Sequence, residues 1–152
     1  MRIAIGSDHA GYELKVELSA YMSDLGHDVK DMGTRNTEPV DYPDFAEAVS
    51  KEVVKGTVDR GVLICGSGVG ASVAANKVPG IRAGVCHDTY SAHQGVEHDD
   101  MNILVVGARI IGVELAKEIT RTFLGAEFSK EERHRRRLNK VLDMERRYGK
   151  GK

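Results

Sequence analysis

A cysteine beside a glycine-rich turn is the part of this sequence best suited to chemistry. Cys65 follows the apolar run 62–64, which predicts a buried parallel strand. Glycines alternate directly after it, at Gly66, Gly68 and Gly70. A strand, a glycine turn and a helix in this order point backbone N–H groups at an anion. Because α/β sheets bind ligands at the carboxyl ends of their strands, this thiol is a candidate nucleophile or base, although it could be an ordinary core residue.

Two further polar pairs lie where they could act with this thiol. Asp8 and His9 follow the first predicted strand, and parallel strands bring their carboxyl ends to one edge of a sheet. Asp8 could also be no more than an N-cap for the first helix. His98 and Asp99 lie just before the last predicted strand, in a polar run that could equally be a solvated turn.

The same glycines formally match a dinucleotide-binding fingerprint, which gives a second interpretation. Gly66, Gly68 and Ala71 fit G-x-G-x-x-A, and Asp88 follows about 20 residues later. That fingerprint usually follows the first strand of its fold, whereas here it follows the third. No sequence remains for a second nucleotide-binding half. A small-phosphate or oxyanion site is therefore favoured, and tight turns without a ligand are the third alternative.

A metal site formed by histidines is a weaker possibility. The candidate ligands are His87, His93, His98 and Asp99. The five-residue gap between His93 and His98 keeps the two rings from sharing one face of a helix, so we expect no metal.

An arginine cluster in the last predicted helix is the one concentration of positive charge. Arg133 and Arg137 are four residues apart, so both project from one helix face and could hold a phosphate dianion together. A solvated basic face is the ordinary alternative. A nucleic-acid-binding arm is disfavoured because no aromatic platform accompanies the cluster.

The bulk composition bounds the class of protein. The 152 residues suffice for one domain, residues 1–152, and the net charge of −1 argues against general nucleic-acid or membrane-surface binding. Two cysteines form no disulfide framework, which favours a cytoplasmic location. A first predicted strand that begins at Arg2 leaves no room for a signal peptide. The apolar run 103–106 is too short to span a bilayer.

Strands and helices alternate five times in the predicted chain, which indicates an α/β fold with a parallel sheet covered on both faces. Gly26 and Gly56 are predicted to end the first two helices. Capping-box patterns place the start of the second helix at Asp44 and of the last at Ser129. The predicted strands are 2–6, 27–31, 62–64, 81–86 and 102–106; the later helices are 71–77, 87–97, 112–124 and about 130–147, before a frayed tail at 148–152.

Eight short segments form an ordered pattern along the chain. They are Gly-Ser-Asp-His-Ala-Gly (6–11), Val-Asp-Tyr-Pro (40–43), Ile-Cys-Gly-Ser-Gly-Val-Gly (64–70), Ala-Ala-Asn-Lys (74–77), Gly-Ile-Arg-Ala (80–83), Glu-His-Asp-Asp (97–100), Gly-Ala-Arg (107–109) and Arg-His-Arg-Arg-Arg (133–137). This set closely resembles the B-type ribose-5-phosphate isomerases. The resemblance implies a Rossmann-like αβα three-layer sandwich with a five-stranded parallel sheet. It also implies a homodimer or tetramer in which two subunits build each active site and the last helix packs on the partner.

The resemblance further implies a role for each matching residue. Cys65 matches the family's proton-shuttling base, His98 its ring-opening acid, and Ser67 a hydroxyl position beside the cysteine. Asp99 stands where the family commonly has asparagine, and an ionised carboxylate accepts hydrogen bonds but cannot donate them. The implied substrate contacts are Asp8, His9, Gly66, Ser67, Gly68, Val69, Gly70, Asp99, Arg109, Arg133 and Arg137.

The implied activity is an aldose–ketose isomerisation that needs neither a metal nor an organic cofactor. It interconverts ribose 5-phosphate and ribulose 5-phosphate through an enediolate. Related isomerases act on allose 6-phosphate or galactose 6-phosphate, so a six-carbon substrate is an alternative. Galactose-type subunits tend to lack the histidine and the arginine cluster, which favours the ribose type here. A nucleotide-binding module is the alternative outside this class.

Overall fold

The chain forms five strands, each followed by a helix, and a sixth helix at the end in this computed structural model, which describes residues 1–149. In chain order they are β1 (Arg2–Ser7), α1 (Tyr12–Asp24), β2 (Asp28–Asp31), α2 (Tyr42–Lys55), β3 (Arg60–Cys65), α3 (Val69–Ala75), β4 (Ala83–Val85), α4 (Thr89–Asp99), β5 (Ile103–Gly107), α5 (Val113–Gly125) and α6 (Glu132–Tyr148). None of these helices is long and apolar enough to cross a bilayer. Of the tail expected to fray, residues 150–152 lie outside the described residues, whereas Tyr148 still belongs to α6.

The five strands are all parallel and form one sheet in the order β2-β1-β3-β5-β4. Successive residues of a strand point to opposite faces of a sheet. On one face, Ile5, Val62 and Leu104 pack in the core formed with α1, α4 and α5. On the other face, Ala4 and Leu63 pack in the core formed with α2 and α3. The predicted three-layer αβα sandwich is therefore confirmed.

Strand β4 is shorter than predicted and lies at the edge of the sheet. It covers three residues, Ala83–Val85, rather than 81–86. Asn76, just after α3, donates from Nδ2 to the Ala83 carbonyl oxygen (2.9 Å) and accepts at Oδ1 from the Ala83 N–H (2.8 Å). A side-chain amide thus takes up both backbone groups of Ala83 that do not pair with β5.

Helix α2 begins earlier than its capping pattern indicates. It starts at Tyr42 with Asp41 as the N-cap residue, so the prediction of a start at Asp44 was wrong. Pro43 explains the difference, because proline fits the first turn of a helix, where its missing N–H is not needed. Its predicted end is confirmed: Gly56 has a φ of +75°, which glycine adopts without steric cost.

Helix α6 begins later than predicted. Its N-cap residue is Glu131 and its first residue is Glu132, so Ser129 does not cap it. The Ser129 hydroxyl instead contacts Nδ1 of the buried His134 at 2.5 Å. A buried imidazole needs a hydrogen-bond partner, and this need outweighs the capping pattern.

A lysine is buried beneath the loop that joins β2 to α2. The Lys15 side chain is 1% exposed, and its Nζ donates to Asp31 Oδ1 (2.6 Å) and to the Thr34 carbonyl oxygen (2.5 Å). The Gly33 N–H donates to the same Asp31 oxygen (2.8 Å). Burial opposes ionisation of Asp31, but these hydrogen bonds outweigh it and lower the pKa of its carboxyl below 3.8.

Replacing Asp31 with asparagine should lower the free energy of unfolding near pH 7 by about 1–3 kcal/mol, because buried Lys15 loses its charged partner. The Asp31 side chain is 37% exposed, so we expect less than for a fully buried pair. A carboxyl with a lowered pKa stabilises the fold above its unfolded-state pKa and stops doing so as the pH falls below it. The difference from wild type should therefore shrink as the pH falls below 3.8.

Urea unfolding from roughly pH 2 to pH 7 measures both effects. Asp28→Asn is the matched control, because Asp28 is an exposed residue of the same strand. Equal losses in the two variants would show that the Lys15–Asp31 pair has no special part in stability.

Candidate active site

Strands β1 and β3 are neighbours at the point where the order in which strands are added to the sheet reverses. β1 lies between β2 and β3, and its last residue, Ser7, pairs with Ile64. Asp8 and Cys65 therefore lie near each other at the carboxyl ends of these strands, as the sequence predicted. The Asp8 N–H also donates to the Ile64 carbonyl oxygen (3.3 Å), which fixes the turn after β1 to β3.

Two adjoining cavities open at this edge of the sheet. One, of about 370 Å³, is lined by Asp8, Tyr42, Cys65, Gly66, Ser67, Gly70, Arg109 and Ile110. The other, of about 520 Å³, is lined by Asp8, His9, Val40, Asp41, Tyr42, Pro43 and Asp44. Because Asp8 and Tyr42 belong to both, the two cavities form one cleft with the thiol at one end and His9 at the other.

The thiol of Cys65 is held by the turn that follows it. Cys65 is 4% exposed, and the Gly68 N–H donates to its Sγ (3.2 Å). Gly68 has a φ of +84°, and a Cβ there would lie 3.2 Å from Val106 and 3.3 Å from Gly107 backbone atoms. Only glycine fits this position without strain. An N–H donor on the sulfur stabilises a thiolate, which is the form that acts as a nucleophile or base.

Two backbone hydrogen bonds join this turn to the end of β5. The Ala108 N–H donates to the Cys65 carbonyl oxygen (2.8 Å), and the Arg109 N–H donates to the Gly66 carbonyl oxygen (3.0 Å). They bring the Arg109 guanidinium against the turn, with Nη1 3.5 Å from where a Gly66 Cβ would lie. A guanidinium and a glycine turn beside one thiol are groups of the kind that bind anions, and here a single chain brings them together.

Ser67 lines the cavity, but its hydroxyl also serves the helix that follows. Its Oγ accepts the Val69 N–H (3.2 Å), at the start of α3. Ser67 and Val69 are both exposed, but of the two only Ser67 lines the cleft. A catalytic role for the Ser67 hydroxyl stays a prediction.

Asp8 and His9 have structural partners as well as a place in the cleft. Asp8 Oδ1 accepts the Gly11 N–H (3.1 Å), so the capping role considered from the sequence is also present. His9 Nδ1 accepts the Val40 N–H (3.1 Å). Because Nδ1 accepts a hydrogen bond, the ring proton of neutral His9 lies on Nε2, which leaves that nitrogen as a donor.

Tyr42 borders the cleft, although its sequence context predicted no role for it. Its ring atoms lie 2.7–3.0 Å from where a Gly70 Cβ would be, so Gly70 leaves room for the ring. Tyr42 borders both cavities and is 40% exposed. The segment Val-Asp-Tyr-Pro (40–43) contained it, but periodicity alone does not show that α2 begins beside the cleft.

His98 lies near the amino ends of the strands, whereas Cys65 lies at their carboxyl ends, so the two residues are at opposite ends of the sheet. Helix α4 starts after the carboxyl end of β4 and returns to the amino end of β5, and His98 is its penultimate residue. Its 11 residues span about 16 Å, so one chain does not bring His98 to the thiol. Arg133 and Arg137 are exposed on α6, near the same edge as His98.

The His98 ring is held firmly where it lies. It stacks on the buried ring of His134 with a centroid distance of 4.0 Å and an interplanar angle of 25°. Its Nδ1 lies 2.9 Å from Gln94 Nε2, and its Nε2 lies 3.7 Å from Glu97 Oε1. The side chain is 32% exposed, so the ring is preorganised and still accessible.

The family model described as Ribose/Galactose Isomerase matches residues 3–141. The chain belongs to this family. It is 46% identical over 146 residues to ribose-5-phosphate isomerase B of Escherichia coli, covering 96% of this chain and 97% of that protein. It is 43% identical over 130 residues to D-erythrulose-4-phosphate isomerase of Pectobacterium atrosepticum, covering 84% and 85%.

Solved structures agree with this assignment. Ribose-5-phosphate isomerase B of Clostridium thermocellum superposes with a TM-score of 0.95 at 49% identity, covering 97% of this chain and 99% of that one. The type B enzyme of Trypanosoma cruzi gives 0.94 at 46% identity, covering 97% and 100%. This member of the ribose/galactose isomerase family is accordingly an aldose–ketose isomerase.

The isomerase has a third, larger groove between α6 and the edge strand β4. Its volume is about 760 Å³, and Asp99 lies in it rather than beside Cys65. Apolar side chains of α6 are exposed along this part of the helix: Val141 by 52%, Met144 by 52% and Tyr148 by 79%. An amphipathic helix with its apolar side uncovered is typical of an association surface.

The second cysteine of the isomerase is a core residue. Cys86 is 5% exposed, and burial, together with the nearby Asp88 carboxylate, raises the pKa of its thiol to about 11. It therefore stays neutral at physiological pH and is unsuited to act as a base. Within residues 1–149, no three His, Cys, Asp or Glu side chains are grouped as metal ligands.

Proposed function

We propose that this isomerase interconverts ribose 5-phosphate and ribulose 5-phosphate through an enediolate, with Cys65 as the base. The observation that carries the proposal is the thiol itself, held by the Gly68 N–H beside Arg109 in a cleft at the carboxyl edge of the sheet. One base removes a proton from C2 of the aldose and returns it to C1. No electrons leave the sugar, so this chemistry requires no redox cofactor.

The glycine turn is suited to the charge that develops in this reaction. As the proton leaves carbon, negative charge moves to the neighbouring sugar oxygen. Preorganised N–H donors in the turn 66–70 would stabilise that oxyanion, and one such donor typically accounts for about 2.7–4 kcal/mol. Asp8 and His9 line the same cleft and are proposed to contact the sugar hydroxyl groups.

A second copy of the chain is proposed to complete the site. Ribose is mostly a closed ring, so an acid–base group such as His98 must open it before proton transfer. Within one chain, His98 lies at the wrong edge of the sheet, together with Arg133 and Arg137. In the proposed two-fold dimer, the amino end of the sheet in one subunit faces the carboxyl end in the other, and symmetry makes this contact occur twice. The uncovered apolar side of α6 supports its packing on the partner in such a homodimer, or in a tetramer built from it.

Replacing Arg137 with alanine should mainly raise KM. A charge-assisted hydrogen bond to a phosphate contributes about 1.5–3 kcal/mol, which corresponds to roughly a 10- to 100-fold increase. Arg136→Ala is the matched control, because Arg136 is exposed on the same helix and pairs with Glu132 instead (2.8 Å). Steady-state kinetics would contradict the phosphate role if kcat collapsed while KM stayed constant.

Substrate assays with purified protein test the activity. Ribose 5-phosphate should react in the presence of EDTA, and allose 6-phosphate, galactose 6-phosphate and D-erythrulose 4-phosphate should react more slowly. The four-carbon substrate is included because one relative carries that activity in its name. Faster turnover of another sugar phosphate would keep the mechanism and change the substrate. If no sugar phosphate reacted, stabilisation by NAD or ATP in thermal melts would favour the nucleotide-binding alternative.

A further inference from the structure

A histidine behind the Cys65 turn has no part in the proposed reaction. His87 lies between β4 and α4, outside both cavities of the cleft. Its Nε2 accepts the Gly107 N–H at 2.9 Å. A backbone amide can only donate, so Nε2 presents its lone pair and the ring is neutral with its proton on Nδ1.

The His87 ring accepts a hydrogen bond from β5 just beyond the point where backbone pairing between β4 and β5 ends. Strand β4 ends at Val85, and the last backbone hydrogen bond beside it runs from the Cys86 N–H to the Val105 carbonyl oxygen (3.1 Å). The next N–H of β5 directed toward β4 is that of Gly107. His87 supplies the acceptor for it from a side chain, at the level of the Cys65 turn.

Gly107 is in direct contact with this turn. It pairs with Cys65 in the sheet, and a Cβ on Gly107 would lie 2.6 Å from the Ser67 carbonyl group. The Gly107 nitrogen also lies 3.3 Å from where a Gly68 Cβ would be. The next two residues, Ala108 and Arg109, donate to the turn. A rotation of the Gly107 peptide would therefore displace the Gly68 N–H and the Arg109 guanidinium together.

We propose that His87 is a positioning residue for Cys65. By accepting the Gly107 N–H it fixes the peptide against which the glycine turn packs, and so keeps the Gly68 N–H on the Cys65 sulfur. The proposal rests on the proposed role of Cys65 as the base. His87 itself does not touch the substrate.

Two amide substitutions at His87 test the hydrogen-bond acceptor independently of the imidazole ring. In His87→Gln, the side-chain oxygen can reach the position of Nε2 and accept the Gly107 N–H. In His87→Asn, the side chain is one bond shorter and cannot. We expect His87→Gln to keep a kcat close to wild type, and His87→Asn to lose about 10- to 100-fold, as for displacement of a catalytic group by up to 1 Å.

Alkylation of Cys65 by iodoacetamide supplies a readout that needs no substrate. Iodoacetamide reacts with the thiolate, so loss of the Gly68 N–H contact should shift the alkylation profile of His87→Asn to higher pH, while that of His87→Gln stays in place. Mass spectrometry distinguishes the two thiols, because Cys65 and Cys86 lie on different tryptic peptides. Thermal melts define a temperature at which every variant is folded.

Each outcome decides the proposal. A kcat and an alkylation profile that are the same in both variants would overturn it, whether both match wild type or both are impaired, because the acceptor would then not matter. If wild-type protein failed to isomerise ribose 5-phosphate, the proposed function would fail, but the alkylation profiles would still decide whether His87 positions Cys65.

Discussion

Replacing Cys65 with alanine is expected to lower kcat for ribose 5-phosphate by about 10⁴-fold, the upper end of the range for a positioned acid–base group. The enediolate forms only if a base removes the proton from carbon, and Cys65 is the thiol that the Gly68 N–H and Arg109 surround. The fold should remain, because alanine keeps the Cβ and removes only one sulfur atom. Steady-state assays and circular dichroism measure the two effects.

Cys86→Ala is the matched control for this substitution. It removes the other cysteine, which is buried to a similar degree but has a thiol that stays neutral. This variant should lose some stability and keep its kcat. A kcat near wild type in Cys65→Ala would show that Cys65 is not the base. If only Cys86→Ala lost activity, Cys86 rather than Cys65 would be the base.

Mixing two inactive variants should restore activity. In a dimer with shared sites, Cys65→Ala still supplies His98 to its partner, and His98→Asn still supplies Cys65. Random exchange of subunits puts half of the chains in mixed dimers, in which one of two sites is intact, so about one quarter of wild-type activity is expected. Co-refolding of the two variants followed by an assay measures this recovery.

A second mixture is the control for complementation. Asp8 and Cys65 lie at the same edge of the same chain, so mixing Cys65→Ala with Asp8→Asn leaves every site with one defect. That mixture should show no recovery. The shared-site proposal is wrong if the Cys65→Ala and His98→Asn mixture also stays inactive after exchange has been verified with differently tagged subunits.

The sequence predicted the part of the site that lies at the carboxyl ends of the strands. Apolar runs located the strands, and the rule for parallel strands predicted that Asp8 lies near Cys65. Gly68 was predicted as part of the turn because alternating glycines directly follow the strand and precede a helix. These features are local or follow from topology, and so a single chain reveals them.

Other parts of the site could not be predicted in this way. The contact of Tyr42 with Gly70 depends on where α2 begins, and Pro43 moved that start away from the capping pattern at Asp44. Asp99 follows His98 in sequence, yet it lies in the groove beside α6. His87 was considered as a metal ligand, whereas its Nε2 accepts a backbone N–H, a contact between residues 20 apart that no spacing rule describes.

The amide of Asn76 on Ala83 limits how copies of this molecule can associate. An unprotected edge strand invites another β-strand to add to it, and repeated addition produces open-ended fibrils. Here both free backbone groups of Ala83 are already occupied, and β4 is only three residues long. Strand addition is therefore disfavoured at this edge of the sheet, which is compatible with the proposed packing of copies through α6 in a closed, finite particle.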